Sequence, residues 1–154
     1  MRPSRAWTEL LRGEAGSASL EFIVVGLLLL VPLVYLVVAL SALQSAAFGV
    51  EGAARQASRV YVQSVSGAAG EEAARTAIRE TLADYGLDAA SARVQVTCRP
   101  DPVRCLTRRG FVTVHVSVLV PLPLLPPVIV TSLPAGIPVD SVATEQVSRF
   151  WSGS

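Results

Sequence analysis

One stretch of this chain carries no charged residue for 22 successive positions. It runs from Phe22 to Leu43 and reads FIVVGLLLLVPLVYLVVALSAL. As a helix it would be about 33 Å long, against about 30 Å for the hydrocarbon core of a bilayer. A chain of 154 residues is too small to bury such a helix on all sides, which argues against the core helix of a soluble domain. The run therefore predicts one membrane span, at about 22–43.

The charges on either side of the run predict its direction. Arg2, Arg5 and Arg12 precede it, and the next basic residue after it is Arg55. Cytoplasmic flanks of membrane helices are enriched in basic residues. We therefore expect a single-pass protein with a cytoplasmic N-terminus and with residues 44–154 outside the membrane, extracellular or periplasmic.

A secretory signal peptide also begins with basic residues and an apolar run. The small residues near 39–47 are similar to a signal-peptidase site. The apolar region of a signal peptide is usually about 7–15 residues long, however. The longer run of this chain favours a retained anchor over cleavage near residue 47.

Composition limits the chemistry of the part outside the span. The net charge is +1, with 13 Lys+Arg against 12 Asp+Glu, which makes nucleic acid a poor partner. One His and two Cys leave few metal ligands, and there is no nucleophile elbow, phosphate-binding glycine loop or lysine. We therefore predict no enzyme, no cofactor, no metal site and no small-molecule substrate.

The junction before the apolar run has a defined order of residues. Residues 14–25 read EAGSASLEFIVV, so that Gly16 and Ser17 precede Glu21 and Phe22 by four to six positions. This order resembles the processing site of type IV prepilins, most closely that of TadE-like pseudopilins or minor pilins of Tad (Flp) type IV pilus systems. A competing interpretation is that Glu21 is an incidental charge at a membrane interface.

The resemblance implies a function and partners. A prepilin peptidase would cut after Gly16, so that Ser17 becomes the first residue, Glu21 the fifth and Phe22 the sixth. The α-amine of Ser17 could then pair with Glu21 of a neighbouring pilin or pseudopilin through the N-terminal helix. Pro32 lies further into the helix than the family pattern has it. The implied role is in pilus assembly, cell adhesion or secretion, either in the membrane or within the pilus itself.

The resulting division of the chain has three parts. Residues 1–16 form a leader, residues 17–66 a transmembrane and extended helix, and residues 67–154 a small extracellular α+β domain. Small residues recur every fourth position after the span, which favours close helix packing; they are Ser45, Gly49, Ala53 and Ala57. The abundance of Ala in this chain explains the same stripe equally well.

Residues 67–154 are predicted to form a second helix and a short sheet. Residues 67–70 (GAAG) predict a turn, residues 71–85 an amphipathic helix, and Gly86 its C-terminal cap. Alternation predicts strands at 92–98 and 111–120, with His115 as an exposed or half-exposed strand residue. Residues 137–149 are ambiguous between a strand and a short helix. The family resemblance favours a strand paired with 111–120 in an antiparallel sheet of two to four strands.

Two features outside the span have their own interpretations. In an exported domain Cys98 and Cys105 predict a structural disulfide, because other metal ligands are lacking and the spacing is not C-x-x-C. The apolar segment 119–130, LVPLPLLPPVIV, is too rich in proline for a second span. It either covers the sheet or contacts a membrane or a partner subunit.

Two classes of function follow from these observations. The first is a membrane-anchored pseudopilin or minor pilin, processed after Gly16. The alternative is a secreted or single-span membrane-anchored binding domain whose ligand the sequence does not indicate.

Overall fold

The protein has an α+β fold, in agreement with the sequence prediction. The computed structural model describes the backbone of residues 6–121, 123 and 136–152, with side chains from residue 19 onward. The chain divides into two compact units, Met1–Leu40 and Ser41–Ser154. The elements are α1 (Ala6–Gln63), α2 (Gly67–Asp84), a short 3₁₀ helix (Ala89–Ser91), β1 (Arg93–Arg99), β2 (Phe111–Val120) and β3 (Ile137–Gln146).

Helix α1 is the longest element, with 58 residues. It begins at Ala6, so that most of the predicted leader is helical and no break separates Gly16 from Ser17. It continues through Pro32 and ends at Gln63, three residues before the predicted end at 66. Proline is tolerated within membrane helices because the surroundings can satisfy the carbonyl group that it leaves unpaired.

The part of α1 in the first unit exposes its large apolar side chains. Leu28 and Leu29 are 68% and 69% exposed, and Phe22 is 79% exposed. By length and composition, α1 from Ser19 onward is the one described helix that can cross a membrane. The predicted span at 22–43 lies within it.

The second unit has its own core, in which the C-terminal part of α1 packs with α2 and the sheet. Val50, Ala53 and Ala57 of α1 are fully buried, as is Leu82 of α2. The sheet contributes alternate residues of its central strand, of which Val112, Val114 and Val116 are also fully buried. Residues 41–63 therefore belong to the same compact unit as the predicted extracellular domain.

The predicted turn at 67–70 is wrong, because these residues form the first turn of α2. The connection from α1 is made by residues 64–66, and Ser66 is the N-cap, with its hydroxyl accepting from the N–H of Ala69. Gly70 is a packing position: an added Cβ would lie 3.1 Å from Cδ1 of the buried Tyr61. Glu71 consequently lies beyond the first turn of α2.

The predicted end of α2 at Gly86 is confirmed. Gly86 adopts a positive φ of 68° after the C-cap Tyr85. The N–H of Gly86 donates to the carbonyl of Ala83, and that of Leu87 donates to the carbonyl of Leu82. These two bonds form a Schellman motif, in which glycine is favoured because it has no Cβ.

The sheet has three antiparallel strands in the order β1-β2-β3. Residues 137–149, which were ambiguous in sequence, contain β3, and β3 pairs with β2 over its whole length. Val112 through Val120 alternate between a face packed on the helices and an outer face, as predicted. The outer face carries His115, with Gln95 and Val142 as its neighbours on β1 and β3.

Much of the apolar segment 119–130 lies outside the described residues. Of this segment the structure describes residues 119–121 and 123. Both interpretations of the segment therefore stay predictions.

Candidate processing and assembly site

The four predicted processing residues all lie on α1. Gly16 and Ser17 have helical backbone, and the side chains of Glu21 and Phe22 are exposed. Glu21 lies four positions after Ser17, which corresponds to a rise of about 6 Å, or about one turn. A cut after Gly16 would therefore create a positive amine about one turn from the carboxylate.

Glu21 is in unusual surroundings for a carboxylate. It is the only charged residue between Ser19 and Val50. Most of the side chains that follow it on α1, up to Leu40, are apolar and exposed; Tyr35 is half-buried and Ala39 is buried. A carboxylate at the edge of such a helix is costly when it enters hydrocarbon unpaired, so a nearby cation or a helix N-terminus would stabilise it.

Most of the small-residue stripe lies in the core of the second unit. Gly49, Ala53 and Ala57 are buried there, whereas Ser45 is exposed. An added Cβ at Gly49 would lie 2.8 Å from Cγ of Tyr85, at the end of α2. The helix that approaches these small residues is therefore α2 of the same chain.

The predicted disulfide between Cys98 and Cys105 is confirmed. The two Cα atoms are 5.0 Å apart, within the usual range for such a bond. Asp101 orders the enclosed loop by accepting from Arg104 Nε at 2.8 Å and from the N–H of Val103 at 3.0 Å. The hydrogen bond from the Arg104 side chain, followed by those from the backbone, holds the pKa of the Asp101 carboxyl below its usual value.

His115 lies on the outer face of the sheet, half-exposed as the sequence predicts. Its Nε2 is 3.5 Å from Oδ2 of Asp140 on β3. Among the side chains described, no three His, Cys, Asp or Glu residues are grouped so that they could hold a metal ion. The pair is therefore a surface contact between neighbouring strands.

The sequence did not indicate how the C-terminal residues hold the second unit together. Trp151 Nε1 donates to the carbonyl of Ser64, just after α1, at 2.9 Å. Arg108 Nε donates to the carbonyl of Trp151 at 3.0 Å. Because 87 residues separate Ser64 from Trp151, no periodicity or local motif could predict this contact.

Comparison of the chain with protein-family models, curated proteins and solved structures finds no match.

Proposed function

We propose that this chain is a membrane-anchored pseudopilin or minor pilin of a Tad-type pilus, cut after Gly16 and assembled through α1. The observation that carries the proposal is the junction itself. Gly16 and Ser17 precede Glu21 by five and four positions, about one helical turn, and Phe22 follows it directly. Glu21 is the only charged residue between Ser19 and Val50. In this proposal the chain has a structural role in pilus biogenesis, adhesion or secretion and no enzymatic activity.

The chemistry of the junction supports assembly after cleavage. In the uncut chain the nitrogen of Ser17 is part of a neutral peptide group, so it offers no positive charge to Glu21. Cleavage produces an α-amine that is protonated at neutral pH, because its ordinary pKa is about 7.7–8.0. Glu21 of a neighbouring copy can then pair with it, so that the helices adopt a defined register only after processing.

The second unit supports an exported location for the remainder of the chain. It contains a disulfide, which persists in oxidising compartments. The basic residues before the span favour a cytoplasmic leader, which is where a prepilin peptidase would cut. Both observations are consistent with an anchor that exposes its domain outside the cytoplasm.

The first experiment is to determine the N-terminus and intact mass of the chain from its native membrane. We expect a membrane-bound chain that begins at Ser17. Gly16→Leu should leave the chain uncut, whereas the matched variant Gly13→Leu, within the same leader, should be processed normally. A chain beginning near residue 47 in the medium would contradict the proposal, as would an uncut chain beginning at Met1.

A second experiment separates processing from assembly. We expect Glu21→Gln to be cut normally but to disappear from the sheared pilus fraction or the pilus-assembly complex. Glu14→Gln removes a carboxylate from the leader and serves as the matched control, with assembly unchanged. Normal assembly of Glu21→Gln would contradict the role assigned to this carboxylate.

A further inference from the structure

Both edges of the sheet lack a strand partner among the described residues. The strand order is β1-β2-β3, so that β1 and β3 each pair with β2 on one side only. An unpaired strand edge presents a row of backbone N–H and C=O groups to which another strand can add.

The two edges carry opposite charges. Strand β1 contains Arg93 and Arg99 and no acidic residue, whereas β3 contains Asp140 and Glu145 and no basic residue. All four side chains belong to exposed residues. No ion pair within the described part of the chain involves either arginine, and Asp140 faces His115 alone. Asp140 lies on the outer face of the sheet, as both arginines do, whereas Glu145 pairs with Val112 and lies on the other face. The complementary charges on one face are therefore the arginines of β1 and Asp140 of β3.

The direction and faces of the strands also match. Because β1 and β3 both run antiparallel to β2, they run parallel to each other. A second copy in the same orientation would bring its β1 alongside β3 as a parallel neighbour. Gln95 and Val142 both flank His115 on the outer face, so the outer faces of the two copies would be continuous.

We propose that β1 of a second copy of this chain adds, in parallel, to the edge of β3 that has no partner among the described residues, with Arg93 beside Asp140. In this register Gln95 lies beside Val142 and Thr97 beside Thr144, all on the outer face. The pairing of like edges about a twofold axis fits less well. A twofold axis perpendicular to the sheet would keep the outer faces of the two copies continuous, but it would bring together two edges of like charge.

The contact has a consequence for assembly. It uses a different edge on each copy, so every added copy leaves one free edge at each end, and the contact can repeat. It would also cover apolar side chains at the two edges, since Val94 is 39% and Val142 is 58% exposed. The inference goes beyond the proposed function, because it concerns the sheet and does not require cleavage after Gly16.

Cross-linking between two differently tagged full-length copies in membranes tests the register. One copy carries Gln95→Cys and the other Val142→Cys, which leaves the charged residues in place. Adjacent parallel strands bring such Cα atoms within disulfide range, so mild oxidation should give a heterodimer with both tags. As the control, Glu80→Cys on the exposed surface of α2 replaces Gln95→Cys and should give only background cross-linking.

A charge exchange in the same background tests the proposed partner. Asp140→Arg in the Val142→Cys copy should reduce the heterodimer about fivefold, because it replaces an attraction with a repulsion. Adding Arg93→Asp to the Gln95→Cys copy should restore it. Circular dichroism checks that each variant is folded, and a photo-cross-linking residue at Val142 provides a second readout if the added cysteines disturb the native disulfide.

The outcomes separate this inference from the proposed function when the N-terminus is read from the same sample. A chain that begins at Ser17 without the heterodimer overturns the edge-to-edge contact alone. A heterodimer formed by chains that begin at Met1 supports the contact and contradicts the pilin-type processing. A heterodimer that is insensitive to the charge exchange, or that Glu80→Cys forms equally well, overturns the register.

Discussion

The two parts of α1 use apolar residues in opposite ways. In the first unit large side chains such as Leu28 and Leu29 are about two-thirds exposed. In the second unit small residues such as Ala53 and Ala57 are fully buried. One continuous helix therefore exposes its large apolar side chains in the first unit and buries small ones in the core of the second unit. The difference shows that apolarity and burial within the chain are separate properties.

The reason lies in what each part packs against. Large branched side chains fit a lipid environment, where no close approach of another element is required. The second unit brings α2 close to α1, which requires small residues at the contact, and Leu82 and the valines of β2 fill the remaining space. The core of the second unit thus depends on the size of its side chains, whereas the first unit is marked by the hydrophobicity that a membrane span would need.

The largest expected effect is a loss of stability when a buried leucine of the second unit is truncated, with an exposed leucine of the first unit as the comparison. Leu82→Ala should lower the free energy of unfolding of the second unit by about 2–5 kcal/mol, because it leaves a cavity in a fully buried site. Leu29→Ala should leave that free energy unchanged. Urea titration of the full chain in detergent micelles, with Trp151 fluorescence in a Trp7→Phe background, measures both. Equal losses would contradict the separation of the two units.

The next largest effect concerns the disulfide between Cys98 and Cys105, which lies in the second unit. Replacing both Cys98 and Cys105 with alanine should cost about 2–3 kcal/mol, mainly because the unfolded chain regains the entropy of a short loop. The same titration measures this cost, and the helicity of the span should not change. Reduction of the wild-type chain is the control, and it should give a similar loss; a stability unchanged by either treatment would contradict the prediction.

A glycine in each part of α1 provides a matched pair with a smaller effect. Gly49→Ala should destabilise the second unit by about 1–3 kcal/mol, because its Cβ would meet the ring of Tyr85. A Cβ added at Gly26 has no atom within 4 Å. Gly26→Ala should therefore leave the stability of the second unit unchanged, and it should favour the helical conformation by up to about 1 kcal/mol. Thermal unfolding by circular dichroism distinguishes them. Identical behaviour of the two variants would show that the contact at Gly49 has no energetic role.

The smallest expected effect is the response of the disulfide loop to pH. The pKa of Asp101 is lowered by Arg104, so its contribution to stability is present above the unfolded pKa and is lost as the pH falls through the folded pKa. Because the carboxyl is exposed, we expect a change visible by NMR titration and little change in unfolding. Arg104→Gln should raise the pKa of Asp101, and Arg108→Gln should not. A titration of Asp101 at its ordinary pKa in the wild-type chain would contradict the hydrogen bonding described.

Periodicity in the sequence predicts much of the fold. The uncharged run, the helical spacing of residues 71–85 and the alternation of Val112 to Val120 each depend on neighbours a few positions apart. Local regularity of this kind is visible without tertiary contacts. The end of α2 at Gly86 was predictable for the same reason, because glycine readily adopts the positive φ that ends a helix.

The errors arise where a distant residue determines the role of a local one. The sequence predicts a turn at Gly70, but Gly70 lies within α2, where Tyr61 packs on it, and Ser66 is the N-cap of that helix. The candidate site divides in the same way. The spacing of Gly16, Glu21 and Phe22 is local and indicates processing, whereas the complementary strand edges are apparent only after the register of the sheet is known.

The two tyrosine–glycine contacts between α1 and α2 have a mechanical consequence. Tyr85 of the α2 cap rests on Gly49, and Tyr61 of α1 rests on Gly70, so each helix supplies one ring and one gap at opposite ends of the hairpin. Sliding one helix along the other by a turn, about 5.4 Å, would take both rings off the glycines on which they pack. The two helices are thus held against sliding at both ends of the hairpin. A force that pulls α1 along its axis would have to break the Tyr85–Gly49 and Tyr61–Gly70 contacts together.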